Sequence, residues 1–276
     1  MLLCCLGDVL LDVVVATTAV TTHGADTPAA TRAGAGGQAA NVAAWVVSLG
    51  GRARVVAKRA GDLAGRLVAE DLARRGVELA GPVTDGATGV VVSISEPGGE
   101  RSMLTDRGVS PLLSVAEIQP EWLDGCDWLH LPLYSLVDAP VRAAALAAAR
   151  RVPRVSVDLS SVSVLREIGP GETARLLGLL RPEIIFGNAA EAELAGLGAA
   201  APASAAAPAV AGPHTVVVKY GAGGVRINGQ HWPARPTRPL DSTGAGDAFA
   251  AGYLLGGVEL GLDAAARAVS TMGAMP

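Results

Sequence analysis

The stretch DSTGAGDAFAAG, Asp241–Gly252, sets three small residues between two aspartates, directly ahead of an apolar run. Gly244, Ala245 and Gly246 carry nothing that could cover their backbone N–H groups, and 248–255 has the composition of a buried helix. Those donors therefore gather at a helix N-terminus, where the peptide dipoles favour an anion. Asp247 would stand beside that anion and close to anything attacking it. An aspartate in this place is equally well read as an N-cap, although a cap does not require the preceding glycines.

Upstream of this stretch, strand-like and helix-like segments alternate, the pattern of a doubly wound α/β sheet. Segments 2–6, 9–15, 55–57, 128–131, 155–158, 184–186 and 216–219 read as strands, and 38–49, 140–151, 172–180 and 189–195 as helices. In 62–75 the spacing places Leu63, Leu67, Val68 and Leu72 on one helical face and most charged residues, Asp71 among them, elsewhere, with Gly76 as the C-cap. Asn228-Gly229 between two short apolar segments is a hairpin signal. Two regions, 17–32 and 90–104, break the alternation and read together as a small separate sheet. The Ala/Pro run 198–212 reads as a surface loop or frayed helix.

Hydrophobic residues make up 50% of the 276 and charged ones 17%, which excludes a disordered chain and fits one large layered domain. A net charge of -4 with no basic cluster excludes nucleic acid as the main partner. Only Lys58 and Lys219 are lysines. Cys4, Cys5 and Cys126 have no metal-ligand spacing and fit a reducing cytoplasm. The opening segment lacks a basic n-region and is interrupted by Asp8 and Asp12, so it is not a signal peptide, and no charge-free run is long enough for a membrane span.

GxxxxGK[ST] is absent, which leaves a P-loop unsupported. Gly34–Ala39 matches G-x-G-x-x-A, but no buried strand is expected before it and no acidic residue follows about 20 positions on, so a tight turn before a helix is the better reading. The four histidines show no ligand spacing and receive no role.

Three segments together resemble one family. DSTGAGDAFAAGYL (241–254) resembles the C-terminal signature of the ribokinase-like (PfkB) carbohydrate and nucleoside kinases, and GAGGQAANVAAWVVSLGGRARVVAKRAGDLAGRLVAEDLARRGVE (34–78) resembles the N-terminal one. RPEIIFGNAAEAELAG (181–196) is similar to the family's Asn-x-x-Glu segment, at Asn188 and Glu191. The resemblance implies a single domain over 1–276: a three-layer α/β sandwich with a mostly parallel central sheet and a small β lid formed by 17–32 and 90–104. It also implies transfer of the γ-phosphoryl group of ATP to a hydroxyl, usually a primary CH2OH, of a sugar or nucleoside.

By the same resemblance, Asp247 is the general base and the amides of Gly244, Ala245, Gly246 and Asp247 form the anion hole. Asp12, Gly36, Gly37 and Asn41 hold the acceptor, whose hydroxyls a carboxylate can accept two at a time. Asn188, Lys219, Gly221 and Gly224 border the nucleotide, and Glu191 acts on Mg2+ through water. Asp12 is otherwise an exposed strand-end acid, Glu191 an ordinary first-turn acid, and Lys219–Gly224 a plain turn. Asp241 and Thr243 match positions that bind a monovalent cation such as K+ in many relatives, in a loop usually completed near the C-terminus. Lids of this family often pair between subunits, which implies a homodimer. A sugar-binding or regulatory protein without catalysis remains open on this fold, and the acceptor, whether pentose, hexose or a nucleoside such as pseudouridine, is not readable.

Overall fold

Leu3 and Cys5 point to one face of the first strand, and Leu2, Cys4 and Leu6 to the other, all of them buried. A strand apolar on both sides needs a layer of helices on each, and the structure supplies both. The computed structural model describes residues 1–20, 24, 26–97, 101–197 and 215–276. The run 198–212 lies outside the described residues.

In chain order the elements begin β1 (Leu2–Leu6), β2 (Leu10–Thr17), β3 (Ala29–Gly36), α1 (Gln38–Ser48), β4 (Arg52–Val56), β5 (Arg59–Ala60), α2 (Leu63–Arg74), β6 (Glu78–Ala80) and β7 (Val83–Thr84). They continue with β8 (Thr88–Ser95), β9 (Arg101–Gly108), β10 (Trp128–Pro132), α3 (Ala139–Ala149), β11 (Arg154–Asp158), α4 (Val162–Ile168) and α5 (Pro170–Leu180). The last are β12 (Ile184–Asn188), α6 (Ala189–Leu194), β13 (Thr215–Lys219), β14 (Val225–Ile227), β15 (Gln230–Trp232) and α7 (Ala245–Val269).

Nine of these strands form one sheet in the order β15-β14-β13-β12-β11-β10-β1-β4-β6. Every pairing is parallel except those of β14 with β13 and β15, where Asn228 and Gly229 take φ of 47° and 86° to turn the hairpin. α1, α2 and α7 pack their apolar residues on the Leu3/Cys5 face, and α3 and α5 pack on the opposite one. Trp45, Phe186 and Phe249 fill the first layer. Cys4, Cys5 and Cys126 are buried and free of disulfides. Among the described residues, no helix is long and apolar enough to cross a membrane.

A second sheet, β3-β2-β8-β9, stands off the main one. Its strands occupy 10–17, 29–36, 88–95 and 101–108, wider than 17–32 and 90–104. Residues 9–15, read above as an ordinary strand of the series, mostly belong to this sheet, and of the described residues in 17–32, 18–20 and 26–28 lie outside its strands. Valine at 13, 14 and 15 gave no means of telling the two sheets apart, because both favour β-branched residues.

The buried face of α2 also departs from expectation. Val68 and Leu72 are buried, but Leu63 and Leu67 are exposed and Asp71 turns inward. The helix faces the second sheet as well as the core: Asp71 Oδ2 accepts the Ala35 N–H at 2.8 Å, and the carboxylate is paired with Arg74 and Arg75. A buried charge with three such partners is stable. At the other end Asp62 caps the helix by accepting from Gly65 N (2.8 Å), and it also accepts from Thr88 N (3.0 Å), which ties α2 to β8.

Candidate active site

Asp247 is the third residue of α7, so it is not the N-cap; Gly244 occupies that place with φ 72°. A Cβ on Gly244 would come within 2.3 Å of the Ala274 carbonyl oxygen. The Asp247 carboxylate instead reaches across to α1, where Asn41 Nδ2 donates to Oδ2 at 2.8 Å. Burial raises its pKa to about 7, opposed by the hydrogen bond from Asn41. The negative charge of Asp158 raises it further, while Lys219 and Gln38 act the other way. A carboxylate poised near neutrality suits proton acceptance.

The amide positions ahead of it are not equivalent. The Ala245 N–H is already donated to Ser242 O at 3.3 Å, which removes it from the anion-binding set expected from the sequence. Gly246 and Asp247 open the helix with no carbonyl a turn earlier to receive their N–H groups. Asp241 fixes the loop before them: Oδ1 accepts from Thr243 N (2.9 Å) and from its hydroxyl, and Oδ2 accepts from Gly273 N (2.9 Å). The segment after α7 thus folds back to close the loop, and Trp45 Nε1 pins it through Ala274 O at 2.9 Å.

On the far side of Gly246 lies a mainly apolar cleft of about 620 Å³, bordered by Lys219, Gly221, Gly224, Ala245, Gly246 and Phe249. The 219–224 turn is a turn in form, with Gly224 at φ 86° because a Cβ there would strike Trp232 O at 2.1 Å, and it also walls this cleft. Lys219 Nζ donates to Asp158 Oδ2 at 2.7 Å. Nothing in the sequence marked Asp158 beyond its place at the carboxyl end of a parallel strand, the edge along which α/β sheets build their sites.

Asn188 and Glu191 form a capping box at the start of α6. Glu191 N donates to Asn188 Oδ1 (2.9 Å), and Glu191 accepts from Asn188 N (2.8 Å) and Nδ2 (2.7 Å). The buried Glu191 carboxylate has its pKa raised by that burial. With both its oxygens engaged, it fits contact with a hydrated ion better than direct ligation. Among the described residues no three His, Cys, Asp or Glu side chains cluster as a metal cage.

Asp12, on β2, is half-buried beside the N-terminal end of α1, where a Cβ on Gly36 would come within 2.6 Å of its own Cβ. Gly37 has φ 95° and lies on the Asp8 carbonyl, at 2.3 Å from a notional Cβ. These glycines close the strand-to-helix turn, and the strand before them belongs to the outer sheet rather than the core. Asp12, Arg32, Gly34 and the returning 272–275 segment line a small cavity of about 40 Å³. Asp8, between β1 and β2, is held by Arg107 at the end of β9 (Nε–Oδ2 2.7 Å, Nη2–Oδ1 3.0 Å), and Arg107 also binds Asp138 (2.6 Å). One guanidinium thus fastens the outer sheet to the main domain.

Asn41 thus meets Asp247 from α1, with Gly36 and Gly37 just ahead of it in the chain and Asp12 against Gly36, while Lys219, Gly221, Gly224 and Gly246 border the cleft. The family model for pfkB carbohydrate kinases matches residues 1–275. The chain belongs to the PfkB family of carbohydrate kinases. Its fold is that of the ribokinase-like kinases: it superposes on the adenosine kinase of Sinorhizobium meliloti with a TM-score of 0.82 (22% identity, 99% and 95% of the two chains covered). For the ribokinase of Thermotoga maritima the TM-score is 0.77 (20% identity, 100% and 96% covered). In sequence, the PfkB kinase is similar to a fructokinase of Klebsiella pneumoniae (31% identity, 80% of this chain and 76% of the relative). It is also similar to an ATP-dependent ribose-1-phosphate kinase of Halopiger xanaduensis (30%, 81% and 73%). As a member of this family the protein is a phosphotransferase that acts on a hydroxyl acceptor.

Proposed function

We propose that this PfkB kinase moves the γ-phosphoryl group of ATP onto a primary hydroxyl of a sugar or nucleoside. The observation that carries the reading is Asp247 itself: a carboxylate near neutrality, held by Asn41 at the start of α7, whose first turn walls the 620 Å³ cleft. The acceptor oxygen attacks the γ-phosphorus as its proton passes to Asp247. The bond to the β–γ bridging oxygen breaks with its electron pair left on the nucleotide, and ADP departs. The N–H groups of Gly246 and Asp247 face the transferring phosphoryl, giving charge stabilisation that exists before the reaction begins.

Asp12 accepts acceptor hydroxyls, Gly36 and Gly37 let the ring approach the backbone, and Asn41 both orients the base and contacts the acceptor. Gly221 and Gly224 leave room for the base or ribose of the nucleotide. Mg2+ bound with the nucleotide supplies neutralisation of phosphate charge, and Asn188 and Glu191 would hold its waters. Asp241 and Thr243 would hold a K+-type cation, and the closure of their loop by Gly273 supports turnover over a purely sugar-binding role. The names of the sequence relatives, for fructose, ribose 1-phosphate and aminoimidazole riboside, support a sugar or riboside acceptor. Met103 and Leu104, exposed on β9, support pairing of two lids in a cytoplasmic homodimer.

The test is ADP release from Mg-ATP across pentoses, hexoses, sugar acids, sugar phosphates and nucleosides, with and without K+. One compound that gives strong acceptor-dependent release establishes the reaction. Silence across the panel from folded protein sinks it.

A further inference from the structure

We propose that Asp158 is a positioning residue that holds the Lys219 ammonium against the transferring phosphoryl group, so that Lys219 is the fixed cation of the transition state. The proposal rests on the kinase reading and adds to it a charge that the anion-hole amides alone do not provide.

The geometry begins at Gly246, where a Cβ would lie 3.1 Å from Lys219 Nζ. The ammonium therefore lies against the first turn of α7, and its residue walls the cleft. The four-carbon stem of a lysine is mobile unless something anchors the charge. Here Asp158 Oδ2 anchors it at 2.7 Å, with the carboxylate itself 2% exposed. Asp158 is fixed in turn by a turn of unusual shape: Ser160 takes φ 67°, its N–H donates to Asp158 Oδ1 (2.9 Å), and its hydroxyl donates to the Asp158 carbonyl (3.0 Å). Leu133 N donates to the same hydroxyl at 2.9 Å, tying the turn to β10. A left-handed serine held from three sides is costly backbone of the sort found where a side chain must be aimed. An ion pair serving packing alone needs neither that turn nor a place on the cleft wall.

The charges around Asp247 make the idea testable apart from folding. Besides the neutral Asn41 and Gln38, Asp158 from β11 and Lys219 from β13 act on it, its own charge acts on the Cys5 thiol of β1, and Glu191 from α6 acts on Lys219. Removing Lys219's charge raises the Asp247 pKa, and removing Asp158's charge lowers it.

The experiment measures kcat, both KM values and the pH profile of kcat for the wild type, Lys219→Met, Lys219→Arg and Asp158→Asn. Loss of one preorganised stabilising group costs about 10²–10³ in kcat. Lys219→Met is expected to fall by that factor with little change in acceptor KM, and its acid limb moves to higher pH. Lys219→Arg recovers part of kcat. Asp158→Asn loses less, and its acid limb moves to lower pH. Full kcat in Lys219→Met, or acid limbs that shift together or not at all, overturns the proposal while leaving the kinase reading intact. Absence of any turnover in the wild type overturns both.

Discussion

Asn41 and Asp247 are 206 positions apart in the chain, yet the Asn41 amide donates to the Asp247 carboxylate at 2.8 Å. The bond favours the ionised form, against the burial that pushes the pKa to about 7. A base must be ionised to act, so kcat should fall as pH drops through about 7. Asn41→Ala removes a stabiliser of the anion and moves that limb to higher pH. Asp247→Ala should lower kcat by roughly 10²–10⁴, the usual size for a lost general base. A pH profile flat from 5 to 8 would contradict the assignment.

Stability should carry the same signature with the opposite benefit. Asp247 titrates near 3.8 when unfolded and near 7 when folded, so between these values the folded state holds the extra proton. Stability therefore declines as pH rises through that window, at most about 1.4 kcal/mol per pH unit. Asp247→Asn escapes the cost. Its unfolding free energy should match the wild type near pH 4 and exceed it above pH 7, by about 1–3 kcal/mol after allowance for partial solvent access. A gap independent of pH would refute the linkage.

Gly36 is in contact with Asp12 so close that a methyl must displace it. Overpacking of this size costs about 1–3 kcal/mol. Gly36→Ala should therefore raise acceptor KM by roughly 10-fold and leave the KM for ATP alone. Equal effects on both substrates would mean that Asp12 serves the fold rather than the acceptor.

Arg107 joins the outer sheet to Asp8 and Asp138. Arg107→Met strands the Asp8 carboxylate, which is buried, and should destabilise the protein by about 3–5 kcal/mol in urea unfolding. Arg107→Lys should recover little of it, because one ammonium cannot replace a guanidinium that grips both oxygens. A loss under 1 kcal/mol would show that the sheet is held by its other contacts.

The parallel sheet and its helices were legible in the sequence because each strand is apolar on both faces and each helix keeps its own period. Gly244, Gly246, Asp247 and Asn41 were legible as parts of recognisable segments. What escaped were features set by contacts distant in sequence. Asp71 looked like a surface acid until the Ala35 amide came to it, and Asp158 looked like the end of a strand until Lys219 did. Ala245 was counted among the free amides because the sequence does not show the turn that gives its N–H to Ser242. The boundary of the outer sheet was misplaced for a related reason: 9–15 has the composition of a core strand, and only its pairing partners show otherwise.

The placement of β1 between β4 and β10, with its opening amide held by Asp127, has a consequence for how the protein comes into being. β1 must wait for more than a hundred further residues before its second neighbour exists, and Asp247 is joined to Asn41 later still. Such long-range pairing slows folding. A chain emerging from the ribosome would hold the early strands and much of the outer sheet well before α7 exists, so the capacity for phosphoryl transfer is acquired only after most of the fold has been made.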